Sequence, residues 1–115
     1  MICTIGNTPL VRLPSEEGSA EIWAKWEGGN PTGSMKDRMA LSIVRGAIQR
    51  GELKPGGTVC DYTGGSTGSS VAMVCAALGY GAHFVSSDAF DESKIQTMRA
   101  FGARVDVIPS EGRQI

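Results

Sequence analysis

The second half of the chain alternates short strand-forming runs with helical runs, and this alternation constrains the fold most. Strands are predicted at Thr58–Tyr62, Ala82–Ser86 and Arg104–Ile108. Helices are predicted between them at Gly68–Leu78 and Asp91–Phe101, and a glycine follows each helix. The strand–helix–strand–helix–strand order predicts an α/β fold, with a three-layer βαβαβ parallel sheet and right-handed crossovers.

The first half of the chain is predicted to add a short strand pair and one long helix. Alternating apolar residues indicate strands at Thr8–Leu13 and Glu21–Glu27. The breaker cluster Gly28–Gly33 indicates a loop. Ser34 is then a candidate N-cap for a helix that Gly51 ends. The wide apolar stripe of this helix contains Met35, Met39, Ala40, Ile43, Val44, Ala47 and Ile48.

Charge and hydropathy exclude two classes of partner. Eleven Lys and Arg against twelve Asp and Glu give a formal net charge of −1. Because no run of like charge exceeds two residues, neither a nucleic-acid-binding surface nor a polybasic membrane patch is expected. No apolar run approaches the roughly 20 residues of a membrane span. The chain start also lacks the pattern of a signal peptide, so we expect a cytoplasmic protein.

The cysteines and the histidine do not form a recognisable metal site. Cys3, Cys60 and Cys75 are odd in number and lack CxxC spacing, so neither a metal site nor a disulfide framework is expected. We expect all three to be small buried side chains. His83 lies in a predicted strand without a Cys or His cluster nearby, which favours a packed or edge histidine over a metal ligand.

A glycine-rich turn, residues 63–68 (TGGSTG), joins the first strand of the predicted sheet to the next helix. Open parallel sheets bind ligands at this carboxyl end of their strands. Free N–H groups and the positive dipole at the helix start suit a carboxylate or a phosphate. Ser66 and Thr67 either add hydroxyl donors or cap the helix, and a plain tight turn is the alternative. The turn matches neither a Walker loop nor a dinucleotide fingerprint.

Lys36 lies in the first turn of the helix predicted to start after Ser34. A cation at this end of a helix is unfavourable by up to about 1 kcal/mol. The same field favours the neutral amine, which a Schiff-base lysine must offer to an aldehyde. By position alone, a solvated lysine beside Asp37 and Arg38 is the simpler interpretation.

Four motifs together are more specific than any one of these features. They read IGNTPLVRL at 5–13, KWEGGNPTGSMKDRMA at 25–40, TGGSTGSSVA at 63–72 and KIQTMRAFGARV at 94–105. In this order they resemble the cysteine synthase and cystathionine β-synthase branch of the fold type II pyridoxal-phosphate enzymes. The resemblance covers nearly the whole chain. It favours a Schiff-base lysine at Lys36 over the solvated lysine that position alone suggests.

The resemblance implies roles for the lysine and for the glycine-rich turn. In that family, the lysine of an N-P-x-x-S-x-K-D-R motif forms a Schiff base with pyridoxal 5'-phosphate, and Lys36 holds that position here. The family turn T-S-G-N-T binds the substrate carboxylate, and its Asn lies against the ring hydroxyl of the cofactor. The aligned residues here are Thr63, Gly64, Gly65, Ser66 and Thr67. Gly64 therefore replaces Ser, and Ser66 replaces Asn at the position that contacts the cofactor.

The resemblance also implies the reaction class. The cofactor acts as an electron sink on an amino acid such as O-acetylserine, a β-substituent leaves, and a nucleophile such as sulfide is added. The freed lysine serves as general base or acid. The expected activity is therefore a β-replacement or β-elimination, as in cysteine synthases.

Members of that family are well over twice as long as this chain. Their remaining part carries the glycine-rich loop for the cofactor phosphate and the group that faces the pyridine nitrogen. We therefore expect residues 1–30 to be strands that pair with a large domain, and 31–115 to be the small α/β domain. Alone, the chain is expected to be inactive and to self-associate through exposed strands, or to meet a separately encoded large domain. The alternative is a non-catalytic α/β domain that binds an amino acid, an anion or a protein partner.

Overall fold

The computed structural model describes residues 1–113. It confirms an α/β fold, with a parallel three-stranded sheet, flanking helices and a short antiparallel strand pair at the N-terminus. The strands are β1 (Leu10–Arg12), β2 (Trp23–Lys25), β3 (Thr58–Tyr62), β4 (Gly81–Ser87) and β5 (Arg104–Ile108), and the helices are α1 (Lys36–Gln49), α2 (Ser66–Leu78) and α3 (Glu92–Ala100). Short 3₁₀ turns lie at Ile2–Thr4, Glu27–Gly29 and Glu111–Arg113.

The parallel sheet has the order β3-β4-β5, and each crossover contains one helix. Its register places Cys60 opposite His83 and Phe84 opposite Val105. β3 and β5 lie at the predicted residues, and β4 extends one residue beyond the prediction at each end. This agreement follows from the strand-forming runs, which are bounded by turn residues on both sides.

The apolar helix α2 lies at the centre of the molecule. Its residues from Gly68 to Cys75 are all buried, and α2 packs against both α1 and α3. Gly79 ends it in a left-handed conformation with φ of +78°, which costs glycine nothing because it has no Cβ. In α3, Asp91 caps the helix by accepting a hydrogen bond from the backbone N–H of Ser93 at 2.8 Å. Phe84 from β4 and Met98 from α3 complete the fully buried core around α2.

Helix α1 begins two residues after its predicted cap. Ser34 lies before the helix, and its Oγ accepts a hydrogen bond from the backbone N–H of Lys36 at 3.1 Å. Only part of the predicted apolar stripe is covered. Ala40 and Val44 are buried, whereas Met35 and Ile43 are 57% and 55% exposed. The helix therefore presents a second apolar surface that no residue in 1–113 covers.

The N-terminal strands are shorter than predicted. β1 and β2 each contain three residues, and they pair with each other, with Val11 opposite Ala24. Most of their large apolar side chains stay exposed, including Leu10, Trp23 and the neighbouring Trp26. An alternating pattern shows which side chains share a face, but covering that face needs another element.

Two of the three cysteine predictions were wrong. Cys75 is fully buried in α2, and burial raises the pKa of its thiol to about 11. Cys3 and Cys60 are exposed and free. His83 is half-buried and lies 2.7 Å from Asp106 on the next strand, measured from Nε2 to Oδ2. Within residues 1–113, no cluster of His, Cys, Asp and Glu fits a metal ion, and no helix is long and apolar enough to cross a membrane.

Candidate active site

The glycine-rich loop lies between the carboxyl end of β3 and α2, as predicted, but α2 begins at Ser66, two residues earlier than the predicted helix. Thr63 is buried, and its backbone N–H donates to the carbonyl of Val85 on β4 at 3.0 Å. Its Oγ1 accepts a hydrogen bond from the backbone N–H of Gly68 at 3.1 Å. The loop is therefore fixed at one end to the sheet and at the other end to the first turn of the helix.

Two backbone donors remain at the start of α2. Gly65 is the N-cap and has no side chain with which to cap the helix. Ser69 N–H bonds to the Gly65 carbonyl at 3.4 Å, but within residues 1–113 no acceptor is recorded for the N–H groups of Ser66 and Thr67. Unpaired N–H groups at a helix start favour an anion. In residues 1–113 the hydroxyl that bonds to a first-turn N–H is that of Thr63, and neither Ser66 nor Thr67 makes such a bond.

Lys36 is the first residue of α1 and is half-buried. In the described part of the chain, its side-chain ammonium group has no hydrogen bond or ion pair. It lines a groove of about 400 Å³, together with Lys25, Glu27, Met35, Arg38 and Met39. The other two cations of the groove are held internally, because Lys25 donates to the Thr8 carbonyl and Arg38 bonds to Glu27.

Arg38 and Glu27 form a two-point pair in the wall of this groove. Arg38 Nε lies 2.8 Å from Glu27 Oε2, and Arg38 Nη2 lies 3.1 Å from Glu27 Oε1. Thr8 Oγ1 also donates to Glu27, and Asn30 Nδ2 donates at 2.9 Å. The hydrogen bonds from Arg38, followed by that from Thr8, lower the pKa of Glu27 to about 2. Asn30 Oδ1 then accepts from Gly6 N–H at 2.8 Å, so the network ties the N-terminal segment to α1.

Asp37 has a role that the sequence did not reveal. The sequence pattern presents it as a residue of the first helical turn beside Lys36, but its side chain is fully buried. Oδ2 accepts from the Thr32 backbone N–H at 2.8 Å, and Oδ1 accepts from Thr32 Oγ1 at 2.5 Å. Oδ1 also accepts from Ser70 Oγ of α2 at 2.6 Å. One carboxylate therefore joins the loop before Lys36, the start of α1 and the helix that follows the glycine-rich loop.

The structure thus brings together the two helix starts that carry the predicted site residues. Asp37 follows Lys36 directly, and Ser70 lies one turn beyond Ser66. The groove beside Lys36 does not include residues 63–67, so the two parts are linked by helix packing and by one buried carboxylate. In general, unpaired N–H groups at a helix start suit a carboxylate, and an unpaired lysine side chain suits an aldehyde.

The chain belongs to the family described as pyridoxal-phosphate dependent enzyme, which it matches over residues 3–114. Within this class, it is 44% identical to cysteine synthase B of Salmonella typhimurium over 110 residues, which are 94% of this chain and 36% of that protein. A solved cysteine synthase from Entamoeba histolytica is 34% identical, with a TM-score of 0.88 over 94% of this chain and 34% of that one.

A third relative shows that similar folds are not confined to cysteine synthases. The crystal structure of an O-ureido-L-serine synthase is 40% identical to this chain, with a TM-score of 0.85. The match covers 94% of this chain and 34% of that structure. This chain therefore spans about a third of the length of the relatives it matches.

Proposed function

We propose that this chain supplies the lysine and the substrate-carboxylate loop of a cysteine synthase-like enzyme. Such an enzyme replaces or eliminates the β-substituent of an amino acid such as O-acetylserine. The observation that carries the proposal is the unpaired Lys36 ammonium group at the start of α1. The hydrogen bond between Asp37 and Ser70 links this helix start to α2, the helix that follows the glycine-rich loop. The relatives named cysteine synthase support this reaction class, and the relative named O-ureido-L-serine synthase shows that the named product differs among similar chains.

Each site residue has a distinct part in the proposal. Lys36 binds pyridoxal 5'-phosphate covalently and, when released, moves a proton at the substrate α-carbon. When bound, the cofactor supplies an electron sink for the substrate carbanion. Ser66 offers its hydroxyl to the cofactor ring. The substrate carboxylate is held by Thr63, Gly64, Gly65, Ser66 and Thr67.

The residues of this chain fit one end of the cofactor. The half-buried Lys36 amine, with the thioethers of Met35 and Met39 beside it, suits an aldehyde on a flat ring. The phosphate and the pyridine nitrogen are proposed to be held by a large domain, with residues 1–30 pairing with it and 31–115 forming the small domain. We therefore expect this chain alone to be inactive. We also expect its exposed strands to be covered, either by self-association or by that separate domain. The cytoplasmic setting stays a prediction.

A spectral titration with pyridoxal phosphate tests the lysine assignment. The chain is expected to develop a visible absorbance band, and borohydride reduction followed by peptide mass mapping is expected to place the cofactor on Lys36. Lys36→Ala should lose the band, whereas the exposed Lys54→Ala should keep it. Labelling spread over several surface lysines would contradict the assignment. It would favour a non-catalytic domain that binds an amino acid, an anion or a protein partner.

A further inference from the structure

An aromatic ring lies directly against the backbone of the glycine-rich loop. A Cβ added at Gly64 would lie 1.9 Å from Cγ of Phe90 and 2.0 Å from its Cδ2. Non-bonded carbon atoms do not approach so closely, so the ring fills the space that any side chain at position 64 needs. Gly64 is buried, and Phe90 also contacts Tyr62 edge-on, with ring centroids 6.2 Å apart. Two aromatic rings therefore lie around one side of the loop.

The backbone conformation does not explain the glycine at this position. Gly64 is not among the glycines with positive φ, so an L residue would adopt its conformation without strain. Gly65 provides the contrast, because a Cβ there would meet no atom within 4 Å. The Phe90 ring therefore leaves no space for a side chain at position 64, whereas the adjacent Gly65 has free space beside it.

Phe90 is itself held in position by the chain around it. Its backbone N–H donates to the Ser87 carbonyl at 3.2 Å, in the turn that follows β4. The next residue, Asp91, caps α3. β3 and β4 are parallel neighbours, so the turns that follow them meet at the same edge of the sheet. The ring thus reaches the loop from a hydrogen-bonded turn.

We propose that Phe90 is a positioning residue for the loop. By packing on Gly64, it holds the loop in the shape that presents the N–H groups of Ser66 and Thr67 to a carboxylate. The carboxylate in this proposal rests on the proposed function. The packing of Phe90 on Gly64 and its effect on the loop do not depend on that function. Phe90 acts through Gly64 and touches no reacting atom.

Amide hydrogen exchange tests the positioning without any ligand. In Phe90→Ala, exchange of the two hydrogen-bonded amides that fix the loop, those of Thr63 and Gly68, is expected to become about tenfold faster, because a local opening loses its main packing contact. The amides of β5 should keep their protection, and Phe90→Leu should restore part of the protection of the loop. Unchanged loop exchange, or equal acceleration throughout the chain, would overturn the proposal.

A set of paired substitutions tests whether Phe90 is what excludes a side chain at position 64. Gly64→Ala is expected to lower the unfolding temperature of the wild type. In the Phe90→Ala background the same change should cost much less, because the space is then free. Gly65→Ala is the control for replacing a loop glycine, and it should cost little in either background. Equal losses for Gly64→Ala in both backgrounds would refute the pairing.

Ligand affinity connects the positioning to the substrate. In the chain loaded with pyridoxal phosphate, L-serine should bind several-fold more weakly to Phe90→Ala than to the wild type, at a temperature where both are folded. Equal affinity would overturn the positioning role. If the wild type does not take up the cofactor at Lys36, the lysine assignment fails for this chain alone, and the exchange experiment still decides whether Phe90 holds the loop.

Discussion

The serines at positions 69 and 70 are both buried and adjacent in α2, but they differ in their hydrogen bonds. Ser70 Oγ donates to the fully buried Asp37 at 2.6 Å. Ser69 Oγ, also buried, has no hydrogen-bond partner in the described chain. Replacing each serine by alanine therefore removes the same atom from the same helix, but only one of the two changes breaks a bond. This pair isolates the energetic contribution of the link between α1 and α2.

The expected magnitudes follow from the bonds that are lost. A hydrogen bond to a charged group contributes about 1.5–3 kcal/mol, and alanine favours a helix over serine by about 0.5 kcal/mol. Ser70→Ala should therefore lower the free energy of unfolding by about 1–2.5 kcal/mol. Ser69→Ala loses no bond and should be neutral or stabilising by about 0.5 kcal/mol. For a chain of this length, 1 kcal/mol corresponds to about 4 °C in unfolding temperature.

Urea and thermal unfolding, followed by far-ultraviolet circular dichroism, measure both variants against the wild type. Asp37→Ala should be more destabilising than Ser70→Ala, because it also leaves the half-buried Thr32 N–H without its acceptor. Equal shifts for Ser69→Ala and Ser70→Ala would refute the reasoning. So would a Ser70→Ala variant as stable as the wild type, because the Asp37 link would then contribute nothing to the fold.

Two further predictions concern titratable groups. Hydrogen bonds, first from Arg38 and then from Thr8, lower the pKa of Glu27 in the folded chain from 4.5 to about 2. The contribution of the ionised Glu27 to folding stability is therefore present above pH 4.5 and is lost as the pH falls toward about 2. In Glu27→Gln, the urea unfolding midpoint should depend less on pH over that range than it does in the wild type. The same pH dependence in both proteins would argue against a stabilising contribution from the Arg38–Glu27 pair. Iodoacetamide should modify the exposed Cys3 and Cys60 in the folded chain. It should reach the buried Cys75 only in urea, since burial also raises the pKa of that thiol to about 11; rapid native alkylation of Cys75 would contradict this.

Local sequence patterns were enough to predict the parallel sheet. The strands Thr58–Tyr62 and Arg104–Ile108 form at the predicted residues because strand-forming side chains and turn residues agree there. The prediction was less accurate for the N-terminal strands and for α1. Apolar periodicity identifies which side chains share a face, but whether Trp23 or Ile43 is buried depends on an element that must cover that face.

The candidate site was only partly predictable for a similar reason. Lys36 and the glycine-rich loop belong to continuous motifs, so their positions follow from the sequence. The hydrogen bond between Asp37 and Ser70 joins residues 33 apart, and the contact of Phe90 with Gly64 joins two different loops. Neither leaves a periodic pattern in the chain, because both depend on how the helices and turns pack.

Three consecutive residues at the start of α1 have different roles in positioning the lysine. Successive side chains of a helix point about 100° apart, so Lys36, Asp37 and Arg38 reach three different surroundings. Arg38 bonds to Glu27 and fixes the helix to the N-terminal segment, while Asp37 fixes it to Ser70 of α2. Lys36 is therefore positioned through the bonds of its two neighbours and needs none at its own ammonium group. A lysine that must exchange one covalent partner for another, as the proposed function requires, benefits from this arrangement because no bond has to break before it reacts.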